Sequence, residues 1–252
     1  KRQLFSYITD YLVIFISVAA FGALDRADPH HQPFSLKDIN IQYPYALDER
    51  VSAAQAGVIA VLFPLVVLVL WTLAVEGRLP LPAKRRLRFI ERLWELNLAI
   101  LSLGLAVGIA LVATNALKNT VGRPRPDLLS RCVVRADSAD ASPFGLSTSE
   151  ICTQTDAAVL RDGFKSFPSG HSSISFSGLG LLAFWLAGKL RLMDGRGHIW
   201  KVVVVMIPIA AATLVAVSRI MDKRHHAFDV LFGSALGIIC AWVAYRQYFP
   251  SL

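Results

Sequence analysis

VSAAQAGVIAVLFPLVVLVLWTLAV, from Val51 to Val75, runs for 25 residues without a charge. Wound as a helix it is long enough to cross a hydrocarbon layer about 30 Å thick. Outward from it, four further stretches are free of charge: Leu96–Leu117, Ser172–Gly188, Val202–Ser218 and Val230–Tyr245. A sixth, from Phe5 to Leu24, carries one acid, Asp10, close to two basic residues. One such block would fit a buried core helix, but six in 252 residues leave too little polar chain to cover them. Composition agrees, with 54% hydrophobic and 17% charged residues, against about 45–50% and about 25% in soluble domains. The expected fold is therefore all-α, a single domain over residues 1–252 built as an integral membrane bundle of six transmembrane helices.

Net charge is +8, which in a soluble chain would suggest nucleic acid. Topology explains it better, and no nucleic-acid partner is expected. With six spans both termini share a face, which carries 13 basic residues and four acids, whereas the other face balances 13 basic residues with 13 acids over about twice the length. Short loops rich in Lys and Arg stay cytoplasmic, so the termini are expected there. The run KRRLRFIERLWEL, Lys84 to Leu96, has the mixture of a helix lying on an anionic leaflet; a positive-inside anchor is its plainer reading. The far face then holds Asp25–Arg50, Lys118–His171 and Arg219–Asp229. Cys132 and Cys152 share the middle loop, where a luminal or extracellular compartment would let them pair. Cys240 lies in the last span as a small core residue, and no Asn-x-Ser/Thr sequon occurs.

Three polar clusters border the spans on that far face. Lys118 is followed by Arg123 and Arg125 on backbone that Gly122, Pro124 and Pro126 keep from continuing a helix. Ser169, Gly170 and His171 precede the fourth span, where backbone N–H groups at a helix start favour an anion. Arg219 closes the fifth span, and His225 and Asp229 stand four apart before the sixth, a spacing that puts two side chains on one helical face. Alone, each has a dull reading: snorkelling anchors, an ordinary cap, a polar connection, which is how His30 and His31 are read. Together they supply cations, two imidazoles and a carboxylate, the parts of a phosphoryl-transfer site. Lys118, His171, Arg219 and Asp229 each lie within about a turn, roughly 5 Å, of a span end, the depth of a lipid headgroup.

The order and spacing are specific. Lys118–Pro126 fits K-x6-R-P, Pro168–His171 is P-S-G-H and Ser218–Asp229 fits S-R-x5-H-x3-D, which resembles the three-part signature of the type 2 phosphatidic acid phosphatase superfamily. Six spans, and QYPY at Gln42–Tyr45, resemble its lipid phosphate phosphatase branch, nearest the diacylglycerol pyrophosphate phosphatase group. The resemblance implies His225 as nucleophile forming a phosphohistidine, Asp229 orienting it, and His171 as general acid and then base. It implies Lys118, Arg125, Ser169, Gly170 and Arg219 as phosphate-binding residues, leaving Arg123 and His226 outside the site. The substrates implied are phosphatidate, lysophosphatidate, diacylglycerol pyrophosphate or similar lipids, entering from the bilayer.

No cofactor is expected. His171, His225 and Asp229 would make a two-His-one-carboxylate metal site, but three neighbouring cations, Lys118, Arg125 and Arg219, would repel a divalent ion while supplying its charge. Two rivals are a phosphotransferase on the same scaffold and a non-catalytic transport or scaffold protein; against the latter, charged groups are almost absent from within the spans. Oligomeric state is not legible: Gly104 and Gly108 fit packing within one chain or between chains.

Overall fold

The structure is a computed structural model that describes residues 2–75, 89–143 and 145–252. Eight helices are described: α1 (Arg2–Arg26), α2 (Ala53–Val75), α3 (Phe89–Val121), α4 (Leu128–Cys132), α5 (Ala157–Gly163), α6 (Gly170–Lys189), α7 (Ile199–Met221) and α8 (Ala227–Tyr248). Among the described residues no strand forms, only isolated bridges such as Phe34 with Ser147. The fold is all-α.

Five helices are long and apolar enough to cross a membrane: α1 from Tyr7, α2, α3, α7 and α8. The helix α6 has 20 residues, enough for about 30 Å, but carries Ser172, Ser173, Ser175 and Ser177. All four are buried, because α6 is the centre of the bundle and packs on α8, α7, α3 and α2. A helix surrounded by protein need not be as apolar as one surrounded by lipid. The outer helices show the converse. Leu12, Phe15 and Ile16 on α1, Met206, Ile207 and Leu214 on α7, and Leu231, Ile239 and Trp242 on α8 all point outward and are exposed. An apolar belt of this extent is foreign to a water-soluble surface.

Close contact with α6 is written in small residues. A Cβ on Gly178 would lie 1.7 Å from the Ala60 carbonyl oxygen of α2. That carbonyl belongs to a π-helical stretch, Val58–Leu62. On the opposite side, a Cβ on Gly233 of α8 would lie 2.6 Å from the Ser169 carbonyl oxygen. Further along α6, Leu181, Leu182 and Trp185 meet Leu68, Leu103 and Tyr245 in the main core.

The helices overrun the uncharged runs that announce them. The third span, expected from Leu96, begins at Phe89, since no Gly or Pro interrupts Phe89–Glu95. The segment Lys84–Leu96, expected to lie along the leaflet, is from Phe89 onward continuous with α3; its residues 84–88 lie outside the described part. Asp10, the one acid in the first stretch, is hydrogen-bonded by Tyr248 of α8.

The loops before α2 and between α3 and α6 form a second, smaller core of Phe34, Ile41, Leu128, Cys132 and Phe164. Cys132 and Cys152 are joined by a disulfide. Asp140 accepts from Leu36 N at 2.9 Å and from the hydroxyls of Ser35 and Ser147, each at 2.8 Å. Those donors, the Leu36 N–H foremost, lower the Asp140 carboxyl below its usual range. His31 stacks on Phe164 at 4.2 Å and bonds Ser149 at 2.9 Å. The two loops thus make one cap over one end of the bundle.

Candidate active site

Beneath this cap the three sequence clusters converge. Lys118 is buried in the last turn of α3, where its Nζ donates to the Lys165 carbonyl at 2.7 Å. Gly122 and the two prolines then turn the chain, and Arg125 is buried beside α4 and α5. One Arg125 terminal nitrogen donates to Asp162 Oδ1 at 2.7 Å, and the Nε has no partner among the described residues. Asp162 also accepts from Arg131 at 2.9 Å, and Arg224 stands 3.9 Å away. Burial alone would raise the Asp162 carboxyl; Arg125, Arg131, Lys118 and Arg224 together hold it down at about 2.

His225 lies in the turn between α7 and α8, buried to 4% exposure. Its Nδ1 is 2.7 Å from the Ser166 carbonyl oxygen. A carbonyl only accepts, so Nδ1 carries the proton and Nε2 keeps its lone pair. Burial, with the Arg125 and Lys118 cations behind it, holds the imidazole well below its usual pKa. This is a neutral histidine with one free nitrogen among cations, the state that nucleophilic attack requires.

Among the described residues Asp229 makes no direct hydrogen bond to His225. The four-residue spacing presumes that both residues are helical, whereas α8 begins at Ala227 with His226 as its N-cap. Asp229 is the third helical residue, and its carboxylate reaches back to the His226 backbone N–H at 3.1 Å as one half of a capping box. The same carboxylate receives Arg123 at 2.7 Å, the Ser166 hydroxyl at 2.6 Å and His226 Nδ1 at 3.2 Å. Ser166 is therefore the link: its hydroxyl binds Asp229 and its carbonyl binds His225. Arg123 and His226, left outside the site by the sequence reading, both hold Asp229. Ser166 stands two residues before the PSGH run, and no spacing rule marks it.

Ser169 is fully buried, and its N–H donates to the Asp229 carbonyl at 3.0 Å. Gly170 opens α6, with Lys118 Cε 3.8 Å from where its Cβ would be. His171 Nε2 lies 3.1 Å from the Val51 carbonyl oxygen and 4.0 Å from Glu49. Arg219, 1% exposed, donates to Glu49 Oε2 at 2.8 Å and Asp222 Oδ2 at 2.9 Å. Glu49, from the first loop, also went unread in the sequence, and Tyr45 was read only as the end of QYPY. The Tyr45 ring lies between two guanidiniums, 4.3 Å from Arg131 and 4.9 Å from Arg224, and QYPY is the only written trace of that wedge. Every expected site residue, Lys118, Arg125, Ser169, Gly170, His171, Arg219, His225 and Asp229, lies in this one cluster.

The profile described as PAP2 superfamily matches residues 99–252. The chain is 40% identical to the probable diacylglycerol pyrophosphate phosphatase 1 of Schizosaccharomyces pombe, over 97% of this chain and 82% of that protein. It is 34% identical to diacylglycerol pyrophosphate phosphatase 1 of Saccharomyces cerevisiae, over 97% and 80%. To lipid phosphate phosphatase 2 of Arabidopsis thaliana it is also 34% identical, over 97% and 78%. No solved structure matches it.

Proposed function

The chain belongs to the PAP2 superfamily, and from that premise we propose that it is a membrane phosphatase that hydrolyses lipid phosphates through a phosphohistidine on His225. The observation that carries the reading is the hydrogen bond from His225 Nδ1 to the Ser166 carbonyl, which leaves Nε2 free beside Lys118, Arg125 and His171. In the first step Nε2 attacks phosphorus and the bond to the leaving oxygen breaks. The electron pair departs with that oxygen, which takes a proton from the imidazolium of His171; burial and the Arg219 cation hold the pKa of the resting imidazole at about 4, so this form is gained with the bound phosphate dianion and its proton. In the second step His171 removes a proton from water as its oxygen displaces His225. Lys118, Arg125, Arg219, Ser169 and the Gly170 N–H hold the equatorial oxygens, where transition-state charge lies. These groups supply positive charge that a metal ion would otherwise bring, and the reaction proceeds without one.

Substrate class follows from the relatives' names and from the position of the site at helix ends. Phosphatidate, lysophosphatidate and diacylglycerol pyrophosphate have phosphate at that depth while their tails remain in the bilayer. In this reading α6 crosses the membrane as the fourth of six spans, both termini are cytoplasmic, and the cap with its active site faces the lumen or the exterior. The deciding experiment uses lipid carrying 32P in its terminal phosphoryl group in detergent micelles. Acid-labile, base-stable label on the wild-type chain, absent from His225→Ala, is the expected result. Turnover with no label on histidine in rapid-quench samples would overturn the mechanism.

A further inference from the structure

The leaving side of the reaction contains an anion in the resting structure. The Glu49 carboxylate, from the first loop, lies 4.0 Å from His171 Nε2, the group that meets the departing oxygen. Two buried guanidiniums hold it: Arg219 at 2.8 Å and Arg224 at 3.0 Å. Arg219 belongs to the phosphate-binding set. Arg224 belongs to none of the three motifs, although it immediately precedes the nucleophile, and it is 6% exposed. Its remaining neighbours are the Ala46 carbonyl at 2.9 Å, the Tyr45 ring and, more distantly, Asp162 at 3.9 Å. Its Nε is buried without a hydrogen-bond partner among the described residues. A buried guanidinium with an idle donor is costly to keep unless something uses it.

Substrates differ on this side. When a lipid monophosphate is cleaved the leaving group is an alcohol, which is neutral once protonated and has no use for two arginines. When a lipid diphosphate is cleaved at its terminal phosphorus, the leaving group is a lipid phosphate, an anion whose oxygens need counter-charge beside His171. We propose that Arg224 forms a seat for this second phosphoryl group, with Arg219 bridging it to the equatorial oxygens of the first, that Glu49 holds the seat in the resting enzyme, and that the seat favours lipid diphosphates over lipid monophosphates. The proposal rests on the phosphatase reading above and names its preferred substrate class. The Glu49 side chain is 26% exposed, so it can rotate away when the diphosphate arrives. The reaction balances as diphosphate plus water giving lipid monophosphate and orthophosphate.

The test compares diacylglycerol pyrophosphate with phosphatidate in the same mixed micelles. Arg224→Gln should lower kcat/KM for the diphosphate at least about tenfold more than for the monophosphate, the effect of losing charge-assisted hydrogen bonds. Arg224→Lys should recover part of that difference. Glu49→Gln removes the competing charge and should make inorganic pyrophosphate a several-fold stronger competitive inhibitor. Equal losses on both lipids in Arg224→Gln, or weaker pyrophosphate inhibition in Glu49→Gln, would overturn the proposal. Thermal shift of the purified chain keeps the seat testable if the wild type hydrolyses neither lipid, in which case the phosphatase reading itself has failed. The wild type should then be stabilised more by inorganic pyrophosphate than by orthophosphate. That excess should vanish in Arg224→Gln, and its persistence there would refute the seat.

Discussion

Ser166 joins nucleophile and carboxylate through two different groups, its carbonyl to His225 and its hydroxyl to Asp229. Ser166→Ala removes only the second. It should therefore keep the His225 tautomer while loosening the segment that presents it, lowering kcat about tenfold, the usual effect of a hydrogen bond to a charged group; phosphate release from a lipid substrate measures this. His225→Ala should lose about 10⁴-fold or more. His226→Ala loses the Nδ1 contact to Asp229 at 3.2 Å, about 1 kcal/mol of stability, and should retain measurable turnover in the same assay. Asp162 gives a pH signature. Its folded pKa, about 2, lies below the ordinary value of 3.8, so its stabilisation is complete above pH 3.8 and lost as pH falls through about 2. Asp162→Asn should lower the melting temperature at pH 7, and the gap to wild type should begin to close only below pH 3.8. At this scale the sequence was legible where residue types carry their own chemistry, as with Lys118, Arg125, Arg219 and the two histidines. It was illegible where a backbone carbonyl does the work, because the Ser166 oxygen would be present whatever residue stood there. Glu49 was hidden because its place depends on how a loop folds over a site more than a hundred residues away in the chain.

At the scale of elements, the reading of Asp229 shows what spacing rules need. Four residues define a common face only inside a helix, and the start of α8 falls between His225 and Asp229. The uncharged runs located all six long helices, while their ends were set by other signals: a capping box at Ser52, within its run, for α2, and Gly122 with Pro124 after α3. Gly178 gives a sharp prediction. Because a Cβ there would lie 1.7 Å from the Ala60 carbonyl, Gly178→Ala must push α2 away from α6 and should destabilise by about 1–3 kcal/mol. A melting temperature in detergent equal to wild type would contradict that contact. In the cap, Cys132→Ser with Cys152→Ser removes a cross-link over a separation of 20 residues, about 3 kcal/mol in the chain-entropy model. The main bundle should keep its helical content, and protease sensitivity should rise first within residues 133–151, read by peptide mapping.

For the whole molecule, the apolar belt was legible from composition, but the depth of α6 inside the bundle was not, since a serine-rich run reads as a weak span until its neighbours are known. The proposed sidedness predicts that a single cysteine introduced at Asp137, in the cap, reacts with an impermeant thiol reagent on intact cells, whereas one at Met193 reacts only after permeabilisation. The opposite pattern would invert the topology. One consequence of the arrangement concerns bilayers of unequal thickness. Mismatch between a helix and its bilayer is relieved by tilt or by local thinning, and only a helix that touches lipid feels it. The outer helices α1, α7 and α8 bear the exposed apolar side chains, while α6, which brings Ser169, Gly170 and His171 to the site, is sheathed by its neighbours. The sheath leaves α6 out of that adjustment, whereas α7 and α8, which carry Arg219 and Asp229, take part in it, so turnover should vary with bilayer thickness through those two residues and not through Ser169, Gly170 and His171.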